Sequence, residues 1–200
     1  NCGDIFCSPG NAGIERLASC HDLDFNDRKG IIDFCNENNI KLVIIGPEEF
    51  LEKGLSDFFM EKGIKVFGPS KKATQLESSK IFSKNFLLKN KIPTASSIHF
   101  TNYNQALKYV ESANFPLVIK ADGLAAGKGV IICENKKYAQ ESLNELMIKK
   151  KLGESGTRVL IEEFLDGFEI SFFTFVDNNT YLPLGYALDH KRAFENDEGP

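Results

Sequence analysis

Residues 118–130 read VIKADGLAAGKGV, and no other stretch of the chain is as informative. An apolar strand delivers Lys120, a loop of mostly small residues follows, and the chain returns in a second strand. Small residues let backbone N–H groups converge on an anion, and Lys120 and Lys128 add positive charge. The stretch predicts a glycine flap, Gly123 to Gly129, that closes over phosphates. From these residues alone, a tight hairpin with a solvated lysine is the alternative.

The glycine spacing excludes the two best-known phosphate-binding loops. Three residues separate Gly123 from Gly127, where the P-loop has four, and Gly129 rather than Ser or Thr follows Lys128. The stretch is not a G-x-G-x-x-G loop either. The sequence therefore predicts a lid of the strand–loop–strand form.

A second chemical feature lies downstream, where residues 159–169 read VLIEEFLDGFE. An apolar strand ends at Glu162 and Glu163, and the chain then passes Leu165 and returns with Glu169. A purine needs an acceptor for its amino group and a backbone donor for a ring nitrogen, and a ribose diol suits a carboxylate. The run predicts a hinge that can hold a nucleoside, and exposed glutamates at a strand end are the alternative.

Two cationic clusters complete the candidate chemistry. Lys80 and Lys84 lie one turn apart in a predicted helix, where a solvated lysine face is the alternative. Residues 189–192, Asp-His-Lys-Arg, follow a predicted strand and bring three potentially cationic side chains together. Such a cluster suits a phosphate or carboxylate substrate, and a solvated charged loop is the alternative.

The first 70 residues alternate between strand and helix patterns. Strands are predicted at 4–7, 41–45 and 65–67, and helices at 27–37 and 50–62. Two of the strands end in Gly-Pro, at Gly46-Pro47 and Gly68-Pro69, on either side of one helix, which is typical of βαβ units in a parallel sheet. We expect the apolar run 41–45 to be buried on both faces. The loops at 10–13 and 46–49 follow strand ends, where open parallel sheets bind ligands, although a plain turn is the better explanation of each loop taken by itself.

Further helices and strands are predicted from residue 70 onward. One continuous helix is predicted over 70–89, then a short strand and a helix within 94–115, a helix at about 136–150, and strands near 158–164, 168–176 and 181–187. From residue 116 onward this is a separate α+β unit.

Composition excludes several classes of protein. The chain has 24 Lys+Arg against 28 Asp+Glu, and this net charge of −4 disfavours a general nucleic-acid role. No stretch approaches the roughly 18 apolar residues of a membrane-spanning helix. The five cysteines are odd in number and contain no C-x-x-C pair, so free thiols in a reducing cytoplasm are expected rather than disulfides or a zinc site.

Taken in order, these elements resemble the phosphoribosylamine–glycine ligases, a family of the ATP-grasp superfamily. The matching runs are 9–13, 46–48, 67–70, 75–80, 92–95, 120–129, 162–167 and 189–192. The runs are spread along the chain, so the resemblance covers essentially all of it, and the last run is more specific than the general ATP-grasp elements. Phe50 and Phe168 depart from the family, which often has proline and an acidic residue there. Neither position would supply a charge that the mechanism requires.

The resemblance implies an α/β chain in which a truncated Rossmann-like parallel-sheet module precedes an incomplete ATP-grasp α+β domain. The module is expected at 1–68, linking helices and the start of the ATP-grasp domain at 69–115, its lid subdomain and hinge at 116–187, and a truncated substrate and catalytic subdomain at 188–200. Similar proteins are longer. Their acidic metal ligands are expected beyond Pro200.

The resemblance also implies a reaction, the ATP-dependent ligation of glycine to 5-phosphoribosylamine through glycyl phosphate in purine synthesis. ATP and Mg2+ are the expected cofactors, and this stretch alone is expected to be inactive. Two alternatives stay open. One is a different ATP-grasp carboxylate–amine ligase, against which the run at 189–192 argues. The other is a nucleotide-binding fragment without ligase activity. The oligomeric state is not predicted.

Each candidate residue receives a role from the resemblance. The ATP phosphates are expected to contact two lysines and the flap, namely Lys84, Lys120, Gly123, Gly127, Lys128 and Gly129. The nucleoside is expected to contact the hinge, namely Glu162, the Glu163 carbonyl, the Leu165 amide and, for the ribose, Glu169. Glycine and phosphoribosylamine are expected beside Gly46, Pro47, Glu48, Asp189, His190, Lys191 and Arg192. Lys120 and Arg192 are the candidates for direct catalytic roles.

Overall fold

A computed structural model of the chain describes residues 3–125, 127–177 and 179–189. The strands are β1 (Phe6–Cys7), β2 (Ser19–Cys20), β3 (Leu42–Ile44), β4 (Lys65–Phe67), β5 (Ser97–Phe100), β6 (Leu117–Ala121), β7 (Val130–Cys133), β8 (Val159–Glu163), β9 (Ile170–Val176) and β10 (Tyr181–Leu188). The α-helices are α1 (Arg28–Glu37), α2 (Glu48–Glu52), α3 (Leu55–Glu61), α4 (Lys71–Ser78), α5 (Lys80–Lys89), α6 (Tyr103–Glu111) and α7 (Lys136–Leu143). This mixture of helices and strands confirms the predicted α/β class.

The first four strands form two parallel pairs, β1 with β2 and β3 with β4. Helices α2 and α3 connect β3 to β4, which confirms the predicted βαβ unit. The core of this part is built from Ile31, Cys35, Ile45, Leu51, Leu55 and Phe59. The expected burial of residues 41–45 on both faces is wrong, because Leu42 and Ile44 are 52% and 68% exposed. Val43 packs against the helical core on the other face.

Two helices that the sequence predicts as continuous are each broken. The helix expected at 50–62 is divided by Gly54, whose φ of +79° is a left-handed conformation that favours glycine. The helix expected at 70–89 is divided at Ser79, whose φ and ψ of −129° and 109° are extended. The Ser79 hydroxyl then accepts the Phe82 N–H at 3.1 Å and caps α5. The break therefore creates a new helix N-terminus in the middle of the chain.

The largest sheet has the strand order β5-β8-β6-β7 and is antiparallel throughout. One of its faces packs against α6 and α7. The shared core consists of apolar side chains, including Ala106, Val110, Ile119, Ala139, Leu143, Val159 and Ile161. Because strand residues alternate between faces, Val118, Lys120, Leu160 and Glu162 lie on the opposite face. Helix α5 approaches β8 there.

The helix predicted at 136–150 is α-helical only to Leu143 and continues as one π-helical turn, Asn144–Ile148. Strands β9 and β10 form a separate antiparallel hairpin. Phe175 of this hairpin meets Phe67 of β4 edge to face, with ring centroids 5.5 Å apart. Within the described ranges, no helix is long and apolar enough to cross a membrane.

Candidate functional site

A buried cluster of two lysines and one glutamate lies between α5 and the largest sheet. Glu162 is only 6% exposed, and its two carboxylate oxygens face different cations. Oε1 lies 2.7 Å from Nζ of Lys84, and Oε2 lies 2.5 Å from Nζ of Lys120. The structure therefore brings together three of the residues that the sequence proposes for ATP.

The sheet register explains why this cluster forms. Val118 pairs with Glu162 across β6 and β8, and Lys120 pairs with Leu160, so Lys120 and Glu162 are diagonal neighbours on one face. Diagonal neighbours of this kind lie within reach of long side chains. Lys84 arrives from the middle of α5, which packs on the same face. Two strands and one helix thus fix the three charges relative to one another.

The two lysines differ in what they can still bind. The Lys84 ammonium donates to Thr94 Oγ1 at 2.7 Å and to the Ala95 carbonyl at 2.9 Å, in addition to its contact with Glu162. An ammonium has three N–H donors, so Lys84 is saturated. The Lys120 side chain is 30% exposed and points its charge toward the same carboxylate. Lys120 is therefore the lysine that an incoming anion can reach.

Electrostatics keeps Glu162 ionised in this setting. Burial alone raises the pKa of its carboxyl group, but hydrogen bonds and charges from Lys120 and Lys84 outweigh burial and hold the pKa below its ordinary value. The cluster thus contains two cations and one anion. Its surplus positive charge, partly exposed at Lys120, suits a phosphate oxygen.

Two glycines shape the flap, Gly123 at its start and Gly127 near its tip. The Lys128 N–H donates to the Ala125 carbonyl at 2.9 Å, and Gly127 adopts a left-handed φ of +76°. Gly123 has a φ of +136°, and a Cβ there would lie 2.6 Å from Oγ of Ser155. Glycine is therefore required at this position both by conformation and by space.

Lys128 has a different location from the other proposed phosphate ligands. It lines a cavity of about 590 Å³ together with residues of α7 and the π-helical turn, including Tyr138, Glu141 and Glu145. Helix α7 packs on the face of the sheet opposite Lys120 and Glu162. The structure does not place Lys128 in the buried cluster.

The proposed hinge residues lie in two places, at the end of β8 and at the open end of the β9–β10 hairpin. Glu163 pairs with the segment before β5, because its N–H donates to the Ser96 carbonyl at 3.1 Å and its Oε1 accepts the Ser96 N–H at 2.7 Å. Leu165 is 65% exposed after the end of β8. The Glu169 carbonyl accepts the Asp189 N–H at 3.0 Å at the open end of the hairpin. The proposed ribose and substrate residues are thus adjacent here.

The proposed substrate residues of the first module lie at a strand end, as expected. Gly46 and Pro47 follow β3, Pro47 precedes the first turn of α2, and Glu48 is the first residue of that helix. His190, Lys191 and Arg192 lie outside the described residues, so the structure does not test their placement.

Sequence reasoning missed a cavity of about 410 Å³ beside this strand end. It is lined by the loop after β2, the start of α1 and α2, including Asp22, Asp24, Arg28, Glu49 and Phe50. Phe50, which departs from the family pattern, packs against Phe25 with ring centroids 4.6 Å apart. The departure is therefore accommodated by an aromatic partner.

Sequence reasoning also missed the residues that anchor the flap. By sequence Asp122 is only part of the glycine loop, and no local pattern connects it to Ser79 or Arg158. The one available signal was the Ser-Ser-Lys run at 78–80, since serine is a preferred helix N-cap. In the described part of the chain, no group of three or more His, Cys, Asp or Glu side chains is placed to hold a metal ion.

Family comparisons cover the whole chain. Residues 1–77 match the phosphoribosylglycinamide synthetase N domain, and residues 78–200 match the phosphoribosylglycinamide synthetase ATP-grasp (A) domain. The phosphoribosylamine–glycine ligase of Clostridium acetobutylicum is 42% identical over 196 residues, which are 98% of this chain and 47% of that protein. The enzyme of that name from Vibrio vulnificus strain YJ016 is 45% identical over 202 residues, 100% of this chain and 47% of that protein. The chain thus spans about half the length of these relatives.

Solved structures agree with these sequence relatives. The crystal structure of phosphoribosylamine–glycine ligase from Thermotoga maritima has a TM-score of 0.79 and 31% identity, and covers 98% of this chain and 47% of that chain. The structure of a biotin carboxylase–β-γ-ATP complex from Campylobacter jejuni has a TM-score of 0.74 at 16% identity, and covers 94% of this chain and 46% of that chain. At that identity the second match supports the fold alone.

Proposed function

Because this chain belongs to the phosphoribosylglycinamide synthetase family, we propose that it supplies the ATP-binding elements of a ligase that joins glycine to 5-phosphoribosylamine. The products are glycinamide ribonucleotide, ADP and phosphate. The observation that carries the proposal is the buried cluster of Lys84, Glu162 and Lys120, which is built on three elements and carries one surplus positive charge.

Lys120 is proposed as the direct phosphate ligand of this cluster. Its ammonium is the more exposed of the two, and it shares its carboxylate partner with Lys84. When ATP enters, Lys120 exchanges its contact with Glu162 for a phosphate oxygen. Lys84, already saturated by three acceptors, keeps Glu162 paired and oriented. Lys84 reaches a phosphate itself only by giving up one of those acceptors.

Release of one carboxylate oxygen gives Glu162 a second role. Oε2 then becomes an acceptor for the exocyclic amino group of adenine, while Oε1 stays on Lys84. The Glu163 carbonyl and the Leu165 amide follow directly along the chain and are proposed to read the purine edge. Glu169 is proposed to accept the ribose hydroxyl groups.

The chemistry demands charge neutralisation and alignment more than a nucleophilic side chain. The glycine carboxylate attacks the γ-phosphorus, ADP leaves, and glycyl phosphate forms. The amine of phosphoribosylamine then attacks the acyl carbon and releases phosphate. Lys120 offsets negative charge on the phosphates, and the flap from Gly123 to Gly129, including Lys128, excludes water.

The two remaining substrates are proposed to lie beside two loops. Gly46, Pro47 and Glu48 follow β3 at the carboxyl edge of a parallel pair, where such sheets bind ligands. Asp189 to Arg192 continue from β10, and Arg192 is proposed to hold the phosphate of phosphoribosylamine in a bidentate manner. Mg2+ is proposed to accompany ATP. The described residues do not form a cluster that could hold a metal ion.

Nucleotide binding by the purified chain tests the ATP assignment directly. We expect Lys120→Ala to weaken ATP binding by about 1.5–3 kcal/mol, the range for a hydrogen bond to a charged group. Lys136→Ala, in the first turn of α7 away from the cluster, is the matched control. Equal and small losses at both lysines would remove Lys120 from the phosphate site.

The ligase reaction is tested in a protein of the relatives' full length that contains this chain. We expect glycine-dependent ADP release that requires phosphoribosylamine for product formation. ADP release that responds to a different carboxylate or amine instead would assign the chain to another ATP-grasp ligase. ATP binding without any ligase activity would leave only a nucleotide-binding role.

A further inference from the structure

Asp122 occupies the first position of the loop that forms the flap, and its charge is buried. The residue is 3% exposed, and its side chain has no exposed surface. Buried carboxylates persist in proteins when they are paired and hydrogen-bonded. The partners of Asp122 therefore indicate what the charge holds in place. The inference drawn from them rests on the proposed function, because it concerns the flap that is proposed to close over ATP.

One oxygen of Asp122 binds the N-terminus of α5. Oδ1 accepts the Ser79 hydroxyl at 2.9 Å and the Ile81 N–H at 3.1 Å. The same Ser79 hydroxyl accepts the Phe82 N–H and caps α5. A carboxylate at this end of a helix also interacts favourably with the helix dipole. The flap is thus tied to the helix that carries Lys84.

A second tie runs from that helix back to the flap. Lys80, the first residue of α5, donates from Nζ to the Gly123 carbonyl at 3.1 Å. Burial lowers the pKa of Lys80, although the charges of Asp122 and Glu77 raise it. An ammonium that gives up water for a backbone carbonyl holds that carbonyl in a fixed position.

The opposite side of the same segment is tied to the residues that lead into the start of β8. The Asp122 N–H donates to the Arg158 carbonyl at 3.0 Å, and the Arg158 guanidinium lies 2.7 Å from Oδ2 without the alignment of a hydrogen bond. The Ser155 hydroxyl donates to the Leu124 carbonyl at 3.0 Å. We call residues 122–124 the flap root. The flap root is held from α5 on one side and from residues 155–158 on the other.

We propose that Asp122 is a positioning residue that locks the flap root to α5 and so fixes where the flap begins. Lys84 and Lys120 then keep a constant geometry relative to the start of the flap. Asp122 contacts neither substrate nor the reacting atoms in this proposal.

The test compares Asp122→Asn with Asp57→Asn in the purified chain. Asp57 offers a matched control because its Oδ2 accepts the N–H of Lys71 at 3.0 Å, and Lys71 is the first residue of α4. Both substitutions thus weaken a carboxylate at a helix start, but only Asp122 contacts the flap. Hydrogen–deuterium exchange and ATP affinity are measured for each variant and for the unsubstituted chain.

We expect Asp122→Asn to speed amide exchange in the flap root and at Ile81 by about tenfold, as expected for a weakened bond to a buried charge. Amides of β6 and β8 should exchange as in the unsubstituted chain. ATP should slow exchange at the flap tip of the unsubstituted chain, and Asp122→Asn should lose this protection and bind ATP about tenfold more weakly. Asp57→Asn should change exchange only at the start of α4.

Several outcomes overturn the proposal. One is unchanged exchange in the flap root, and another is exchange that rises equally in every strand, which indicates a purely structural role. If Asp122→Asn does not fold, Ser79→Ala and Ser79→Thr replace it. We then expect amides of the flap root to exchange faster in Ser79→Ala. Ser79→Thr keeps the hydroxyl group and should exchange as the unsubstituted chain does. Equal exchange rates in the two variants contradict the proposal. Absence of ATP binding by the unsubstituted chain defeats the proposed function instead, while exchange in the flap root still decides the role of Asp122.

Discussion

The four-stranded sheet and the parallel pair β3–β4 differ in how completely their apolar residues are buried. In the four-stranded sheet, the inward-facing residues Ile119, Val159 and Ile161 are at most 2% exposed, and helices α6 and α7 cover them. In the parallel pair β3–β4, Ile44 and Phe67 are 68% and 51% exposed. On the other face of this sheet, α5 covers Glu162, so the first region buries a charge in a fixed geometry. The second region contributes strand ends and loops.

This difference bears on where chemistry can be placed. A buried charge needs partners held at fixed distances, which a well-packed sheet and its helices supply. Loops at the ends of short parallel strands can contact a substrate but do not hold a cluster of charges by themselves. The proposed division of labour follows from packing: ATP on the four-stranded sheet, and the smaller substrates beside the strand ends.

Among the substitutions that test this comparison, we expect Glu162→Ala to lower the free energy of unfolding most. Glu162→Ala removes the shared partner of the buried Lys84 and of Lys120, whose side chain is 30% exposed, and breaking a buried ion pair such as that of Lys84 and Glu162 costs about 3–5 kcal/mol. Urea unfolding of the chain measures the loss. Glu163→Ala is the neighbouring control and should cost about 1 kcal/mol, because it removes one hydrogen bond to the Ser96 N–H. Comparable losses for the two would mean that the cluster is not buried in solution.

The same substitution in the two sheets tests the packing contrast itself. Ile119→Ala empties a fully buried position and should lower the free energy of unfolding by about 2–4 kcal/mol. Ile44→Ala removes a side chain that is 68% exposed and should change it by about 0.5 kcal/mol. Urea denaturation monitored by circular dichroism gives both values. A loss at Ile44 as large as that at Ile119 would show that β3 is covered in a way the described residues do not reveal.

Local patterns in the sequence predicted the elements of both regions, because strands, glycine turns and helix caps depend mainly on neighbouring residues. The flap, the strand that ends at Glu162 and Glu163, and the βαβ arrangement all follow from short runs. The break at Ser79 does not, since its hydroxyl binds a carboxylate 43 residues away. An extended residue within a helical pattern needs that distant partner to be favourable.

Long-range contacts also explain why the sequence does not distinguish the surroundings of the three candidate lysines. Lys84 and Lys120 look alike in the sequence, and only the acceptors Thr94 and Ala95 distinguish the saturated lysine from the accessible one. Lys128 belongs to the flap by sequence, but its cavity is formed with α7, whose position depends on the packing of the whole sheet. The direction of a side chain at a loop tip is not contained in the local pattern.

Acid titration offers a smaller and more specific effect. The pKa of Glu162 is lower in the folded chain than its ordinary value of 4.5, so its ionised form stabilises the fold. This stabilisation is complete above about pH 4.5 and is lost as pH falls through the folded pKa, by at most about 1.4 kcal/mol per pH unit. We expect the urea midpoint of the unsubstituted chain to fall more steeply below about pH 4.5 than that of Glu162→Gln. Parallel slopes for the two would assign the acid sensitivity to other carboxyl groups.

The smallest expected effect is the loss of a helix N-cap, which should cost the same free energy of unfolding in both regions. Asp27 caps α1 in the first region by accepting the Gly30 N–H at 3.0 Å, and Asn102 caps α6 beside the four-stranded sheet by accepting the Gln105 N–H at 3.1 Å. A cap satisfies a backbone donor within its own helix, so its contribution depends little on how deeply the neighbouring sheet is buried. Asp27→Ala and Asn102→Ala should each cost about 1 kcal/mol, measured by urea unfolding. If the α6 cap cost several times more than the α1 cap, the two regions would differ in local helix stability as well as in packing, and the separation between local and long-range contributions would fail.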